Sequence, residues 1–558
     1  MTRVLKILSR TLIVLGFLGS PVQARVKSGD LVINEFLASN RAQFEDPDEP
    51  GEFPDWIELY NPTTSDINMG GFYLTDNLTR TTKWQIPWNI NIPAGGYLLF
   101  LADSDPAQGD IHTNFKLNAN NGQIGLVDAD GKTFIDSLTY GKQTADVAYG
   151  RYPDGSTTWH FFARPTPAAP NNQGYLGEVA EVQFSHERGF YDQHFALSLI
   201  CPTENAKIHY TLDGSEPQTS TGRGTSRYTG PISITTTTCV RAKALLSGWK
   251  TSTSVTHTYL FLDAVVKQPA QPAGFPTNWA HTGVGDYEMD PKVVNDPRYR
   301  NTIKNDLKAV PSLSLVMDVD DWFGGNGQGI YLEGELEARA VSAELIYPDG
   351  LTGFQINCAV MIVGGTSTDR WKSDKLSMRL KFKSEYGPPV LKFPLFGDDA
   401  TDEFDTVVLD ARLNHAWHYG GNVKVQGRPL SQRDTAQYTR DPFVSDLQNL
   451  MGGFAPHGRH VHLYLNGLYW GLYWIHERPD EHFAASYFGG SAEDYDVLKH
   501  NADLVINGSN ANYLELFQIA NAGLMTSKQY QLIQQYLDVP GLIDYLIINF
   551  FQIGRAHV

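Results

Sequence analysis

The chain has 558 residues, of which 41% are hydrophobic and 12% aromatic, so it can fill several packed cores and is not globally disordered. Its 44 Lys and Arg residues against 62 Asp and Glu residues give a net charge of −18. Because the sequence also lacks a block of basic residues, this balance excludes a typical nucleic-acid-binding protein.

Residues 1–24 have the pattern of a secretory signal peptide. The stretch "MTRVLKILSR" carries cations and no acid, "TLIVLGFLG" is apolar, and "PVQA" ends in the small-residue pattern Val22-x-Ala24. The apolar part is too short to anchor the chain in a bilayer. We therefore expect cleavage after Ala24, a secreted, cell-surface or periplasmic protein, and no transmembrane segment after cleavage.

Residues 28–172 read as a β-sandwich. Short alternating stretches such as "LVINEFLASN" and "DWIELYNPT" are separated by turn residues, and Asp130-Gly131 marks a hairpin. The Pro-rich "RPTPAAPNN" reads as a linker. Glu35, Asp55 and Glu58 suggest a metal site, but alternation favours exposed strand positions for all three.

The same segment resembles the lamin-tail domain family. The motifs that carry the resemblance are "INEFLASN", "DWIELYNPT", "GFYLTDN", "HTNFKLNANNGQIGLVD" and "YGRYPDG", in that order. The resemblance implies an immunoglobulin-like sandwich that acts as an accessory or targeting module.

Residues 176–262 form a second β-rich block, in which "KIHYTLDGSEPQTS" runs into a turn at Asp213-Gly214. The residues "YTLDGSEP", "YTGPISI" and "VRAKA" resemble the C-terminal sandwich of chitobiases and hexosaminidases. Cys201 and Cys239 lie in this block, and their pairing stays open, whereas Cys358 is expected to be buried. The proline-rich residues 263–306 read as a linker or extended arm.

From residue 307 the pattern becomes α+β. The stretch "KLSMRLKFKS" predicts a strand, Asp441 and Pro442 predict a helix start, and Asn466-Gly467 predicts a hairpin within "RHVHLYLNGLYWGLYWIHERPD". Thr526 and Gln529 form a predicted capping box. The fold class is therefore multidomain: two immunoglobulin-like all-β sandwiches followed by an α+β domain.

Residues 307–552 resemble the CotH kinase family of atypical protein kinases. The resemblance rests on "PSLSLVMDVDDWFGGNGQGIY", "VGGTSTDRWKSDKLSMRLKFKSEYG" and "NGLYWGLYWIHERPDEHFAASYFGG". It implies phosphoryl transfer from ATP with Mg²⁺ to a protein substrate. It places Lys375 and the glycines Gly364 and Gly365 at the phosphates, Glu477 near the adenine and Asp446 opposite the lysine. No metal ligand is assigned.

The end of the chain carries two further expectations. In the family, the catalytic acids follow the helix that "LIDYLIINFF" represents here, so we expect them beyond the C-terminal end and expect an incomplete, C-terminally truncated and inactive kinase-like domain. Residues 553–558, "IGRAHV", are what the translation of a common sequencing adapter would give, and we interpret them as a non-native tail.

Two alternatives stay open. His457, His460 and His462 in "HGRHVH" have a spacing that could hold zinc, although strand and turn histidines are common. The whole chain could also be a non-enzymatic cell-surface or matrix protein that binds glycan or cell wall through its sandwiches.

Overall fold

The structure is a computed structural model that describes residues 26–222, 224–279, 283–324, 329–333, 337–364, 368, 373, 375–412, 416, 424–425, 428–429 and 436–556. It divides into two compact units. The first comprises Met1–Glu178 with Ser247–Lys250, and the second comprises Val179–Leu246 with Thr251–Val558.

The first unit is a sandwich of two main antiparallel sheets, in the orders β11-β10-β1-β2-β7 and β5-β4-β8-β9. Its strands are β1 Val32–Leu37, β2 Asp55–Tyr60, β3 Ile67–Asn68, β4 Tyr73–Thr75, β5 Trp84–Gln85, β6 Asn91–Ile92, β7 Tyr97–Ala102, β8 Gly122–Val127, β9 Phe134–Tyr140, β10 Ala148–Arg151 and β11 Trp159–Phe162. The predicted hairpin is confirmed, because Gly131 adopts a φ of 69° in the turn between β8 and β9.

The prediction that Glu35 and Glu58 are exposed is wrong. Both side chains are fully buried and stand opposite each other on β1 and β2. The Pro-rich segment predicted as a linker folds over them: Thr166 donates to Glu35 through its backbone N–H and its hydroxyl, and the Ala168 N–H donates to Glu58 at 2.7 Å. Asp55 is half-buried.

The second unit begins with a smaller β-rich module built on the sheet β13-β20-β19-β16-β17. Its strands are β12 Gln183–Phe184, β13 Gly189–Phe190, β14 Phe195–Leu197, β15 Leu199–Ile200, β16 Lys207–Thr211, β17 Ser226–Arg227, β18 Ile232–Ile234, β19 Thr238–Leu245 and β20 Val255–Leu260. Cys201, Cys239 and Cys358 are free thiols, so the pairing of Cys201 with Cys239 that the sequence left open is not formed.

The segment 263–306, which we predicted as a linker, packs against the domain on its C-terminal side. It contains α1 Leu262–Val265, β21 Asn278–Trp279, β22 Gly283–Val284, α2 Pro291–Val294 and α3 Ile303–Asp306. Trp279 and Tyr287 are buried in the same core as Leu313 and Trp470. The apolar rings therefore tie this segment to that domain.

The C-terminal region contains a closed barrel of strands in the order β23-β24-β25-β26-β29-β33-β32. Its elements are β23 Ser312–Val316, α4 Val319–Phe323, α5 Ile330–Glu333, β24 Arg339–Ile346, β25 Gln355–Ile362, β26 Met378–Lys381, β27 Leu391–Lys392, β28 Glu403–Phe404, β29 Thr406–Asp410, β30 Lys424–Val425, β31 Arg428–Pro429, α6 Arg440–Leu450, β32 Gly458–Leu465 and β33 Leu468–Glu477. Neighbouring strands are antiparallel except β23 and β32, which pair in parallel and close the barrel.

Helices follow the barrel: α7 Glu481–Phe488, a 3₁₀ turn Ala492–Asp494, the strands β34 Val497–Leu498 and β35 Val505–Asn507, α8 Ala511–Asn521, α9 Ser527–Ile533 and α10 Val539–Ala556. The predicted capping box of Thr526 and Gln529 is confirmed at the start of α9. Within the described residues, no helix combines the length and apolarity needed to cross a membrane.

Local predictions in the barrel have mixed outcomes. The hairpin of β32 and β33 is confirmed, with Asn466 and Gly467 at φ values of 47° and 82°. The helix α6 is confirmed, but Asp441 is not its cap, because Thr439 precedes the helix and Asp441 forms an ion pair with Arg412 at 2.7 Å.

Candidate functional site

A cavity of about 540 Å³ lies beside strands β32 and β33 of the barrel, within the size range of small-molecule sites. Its walls come from the segment 279–307, from the loop before β26, from residues 411, 416 and 438, from β32 and from the start of β33. Residues from several parts of the chain therefore line one volume, and they include Trp279, Asp286, Glu288, Lys375, His462, Tyr469 and Trp470.

Buried aromatic residues fix the position of Lys375 in this cavity. Its ammonium lies 3.9 Å from the centroid of the Trp470 ring, within cation–π range. The Tyr331 hydroxyl accepts from the Trp470 indole N–H at 2.9 Å and from the Leu376 N–H at 3.0 Å, and Tyr473 donates to the Leu376 carbonyl at 3.1 Å. The prediction from the sequence that Lys375 lies on the strand is wrong, because Lys375 precedes β26.

Part of the cavity wall is acidic. Asp286, Glu288, Asp290 and Asp306 line it, and Asp286 and Glu288 are exposed. Burial lowers the pKa of His462, whose ring nitrogens face the Asp306 carbonyl at 3.0 Å and the Tyr469 hydroxyl at 3.2 Å. Lys375 and carboxylates therefore line the same cavity, a combination that suits a ligand binding through both an anionic group and a cation.

Glu477 lies elsewhere, in a cavity of about 310 Å³ with Asp405, Arg478 and Asp480. Its buried carboxylate accepts from the His457 backbone N–H at 2.8 Å and from the Tyr487 hydroxyl at 2.6 Å. Trp470 and Glu477 are seven residues apart on β33, or about 23 Å along the strand. The structure therefore does not bring Lys375 and Glu477 into one cavity.

The other predicted site residues that the structure describes line neither of these two cavities. Gly364 is exposed just after β25, with a φ of 130°, and Gly365 lies outside the described residues. Asp446 is exposed on α6. The pairing of Asp446 with Lys375 stays a prediction.

The histidines of "HGRHVH" do not converge on a metal site. His457 faces Glu477 and Tyr487, whereas the His460 ring lies 3.0 Å from the Tyr438 carbonyl. His462 faces the cavity of Lys375. Among the described residues, these three histidines therefore contact different partners and do not form a metal-binding group.

Comparison with known families gives three matches along the chain. Residues 25–142 match the Lamin Tail Domain, residues 186–257 match the Chitobiase/beta-hexosaminidase C-terminal domain, and residues 431–552 match CotH kinase protein. The predicted domain architecture is confirmed. A search of curated proteins found no match. The CotH match includes Asp446 and Glu477, while Gly364 and Lys375 precede it.

Strands of the matched CotH region nevertheless belong to the same barrel as β26, the strand that follows Lys375. The strands β32 and β33 lie inside the match, and β33 pairs with β29, which in turn pairs with β26, just after Lys375. Sequence reasoning missed Trp470 and Tyr331, whose rings and hydrogen bonds hold the lysine. The aromatic stretch "GLYWGLYW" could have pointed to Trp470, but it does not include Tyr331.

Proposed function

We propose that the CotH-like region binds Mg-ATP in the cavity at Lys375. The observation that carries this proposal is the lysine itself, which lies over the Trp470 ring and lines a cavity beside strands of the CotH match. An ammonium is a usual partner of nucleotide phosphates, and the Trp279 and Tyr469 rings offer apolar surface for a base.

The residues of the cavity also fit a magnesium ion. Mg²⁺ is usually held by one or two carboxylates together with substrate phosphates, and Asp286 and Glu288 would supply those carboxylates here. Bound Mg²⁺ would neutralise charge on the phosphates. Without it, the acidic wall would repel a nucleotide, so we expect the affinity to depend on the ion.

The CotH resemblance implies a further activity, which is phosphoryl transfer from the nucleotide to a protein. Transfer also needs a base that accepts the proton of the hydroxyl, and we assign that role to no residue of the cavity. We therefore limit the proposal for residues 1–558 to nucleotide binding.

Titration calorimetry of the full chain with Mg-ATP tests the site. Lys375→Ala should weaken binding at least tenfold, equivalent to about 1.4 kcal/mol. Lys392→Ala is the matched control, because this exposed lysine pairs with Glu403 away from the cavity. Unchanged affinity of Lys375→Ala, or no binding by the wild type, would remove the nucleotide from this cavity.

We also propose that the protein is exported, with residues 1–24 removed. The support is the order of basic residues, apolar segment and small-residue cleavage pattern. Expression in a bacterium with a Sec pathway should give an extracytoplasmic form whose N-terminal residue is Arg25, as read by mass spectrometry. Retention of Met1 on a cytoplasmic product would contradict this.

A further inference from the structure

Three side chains converge in the lamin-tail-like sandwich, far from the cavity of Lys375 in sequence. Asp46 and Asp48 lie in the loop 38–54 between β1 and β2, and His112 follows β7. One ligand atom from each of the three lies within 4.8 Å of the other two. Carboxylate oxygens and an imidazole nitrogen are the ligands of many divalent transition-metal sites.

The second observation is the state of the His112 ring, which is completely buried. Its Nδ1 atom lies 2.5 Å from an oxygen of Asp103. Its Nε2 atom is also buried, makes no hydrogen bond within the described residues and lies 3.5 Å from an oxygen of Asp48. A polar atom in this position needs a partner, since burial has removed it from water.

The geometry gives the reason why that partner should be a cation. When the imidazole is neutral with its proton on Nδ1, beside Asp103, the Nε2 lone pair and the Asp48 carboxylate are directed at the same volume. A carboxylate behind a histidine in this way is also the usual support for a metal-bound imidazole. A cation between Nε2 and Asp48 would bind both groups.

Distance and charge are consistent with a small dication. Two ligands at about 2.1 Å from a tetrahedral zinc lie about 3.4 Å apart, close to the 3.5 Å between His112 and Asp48. The carboxylates of Asp46, Asp48 and Asp103 together carry three negative charges around one imidazole. A nitrogen ligand disfavours calcium, which takes oxygen ligands.

The geometry points to a binding site for a divalent transition-metal ion, of the Zn²⁺ type, formed by Asp46, Asp48 and His112 with Asp103 orienting the imidazole. The ion would join the loop 38–54 to the segment after β7. Because the ligands come from separate parts of the chain, metal binding would stabilise the sandwich and order the loop.

The test uses the full chain, stripped with EDTA and titrated with Zn²⁺ by calorimetry, with metal content measured by mass spectrometry. We expect one ion at this site, with at least tenfold weaker binding in Asp48→Asn. Asp48 is exposed, so this variant should keep the fold. His112→Gln should lose the same site. Asp110→Asn is the matched control, because it removes a neighbouring exposed acid without removing a ligand.

Hydrogen exchange gives a second measurement that does not depend on other zinc-binding groups in the chain. Zn²⁺ should slow exchange in peptides from the loop 38–54 of the wild type and of Asp110→Asn, but not of Asp48→Asn. Three results would overturn the proposal: no bound Zn²⁺, tighter binding of Ca²⁺ than of Zn²⁺, or Zn²⁺ binding that is the same in wild type, Asp48→Asn and His112→Gln.

Discussion

Replacing Glu58 with Gln should change how the stability of the first sandwich depends on pH. Glu58 is fully buried, and burial, with a smaller contribution from the neighbouring Glu35, raises its pKa from the usual 4.5 to about 8. Burial likewise raises the pKa of Glu35 to about 7. Both carboxyls therefore keep a proton in the folded state at pH values where the unfolded chain has lost it.

The sign and size of the effect follow from these pKa values. The folded state binds more protons than the unfolded state between pH 4.5 and about 8, so stability is greatest at low pH and falls as pH rises through this window. At about 1.4 kcal/mol per pH unit, the Glu58 contribution is on the order of 5 kcal/mol. Glu58→Gln removes the Glu58 part of this slope and leaves the part from Glu35, at a cost of about 1 kcal/mol for one altered hydrogen bond to Asn34 or Ala168.

The assay is hydrogen exchange of peptides from β1 and β2 in the full chain, between pH 5 and 9, corrected for intrinsic exchange. The wild type should be the more protected protein at pH 5, and Glu58→Gln should be the more protected at pH 9. Glu49→Gln, which alters an exposed carboxyl, should follow the wild type. Parallel pH profiles for wild type and Glu58→Gln would show that burial of this carboxyl costs nothing and would refute the reasoning.

Three further predictions concern the second unit. Glu477→Gln should destabilise the contact of α7 with the barrel by about 1–3 kcal/mol, measured by thermal unfolding, because it alters the hydrogen bonds of this side chain with His457 and Tyr487. The affinity for Mg-ATP should not change, and a tenfold weaker affinity would move the nucleotide to the second cavity. Asn466→Ala should cost about 2 kcal/mol in denaturant unfolding, because its side chain pairs with both backbone groups of Met317, and a cost near zero would contradict this. A thiol reagent should label half-buried Cys201 first, because burial raises the pKa of Cys239 to about 12 and so slows its reaction. After unfolding, the reagent should label all three cysteines, and fewer than three labelled thiols would reveal a disulfide.

Local features were the ones that the sequence predicted well. The hairpin at Asn466-Gly467 and the capping box at Thr526 depend on residues that are close in the chain, and the backbone conformations that they need are visible in the residue types. The lamin-tail, chitobiase-like and CotH regions were likewise predicted, because their motifs occur in order along the chain.

Burial and convergence were not predictable in the same way. Alternation on β2 placed Glu58 on the face opposite Ile57, but it could not show that the segment 164–171 folds back and covers that face. Asp46 and His112 are 66 positions apart, so their meeting depends on the packing of the whole sandwich. Such side chains become visible as a site only when the loops that carry them are placed.

The length of β33 explains why Lys375 and Glu477 line different cavities. This strand extends from Trp470, at the cavity of Lys375, to Glu477 at the other. A ligand at one end of this strand cannot contact the other end. At the Glu477 end, Arg478 pairs with Asp480 at 3.1 Å and the Glu477 carboxylate is bound by His457 and Tyr487. These contacts are the reason why we place the proposed nucleotide in the cavity of Lys375, where the acidic wall makes its binding depend on Mg²⁺.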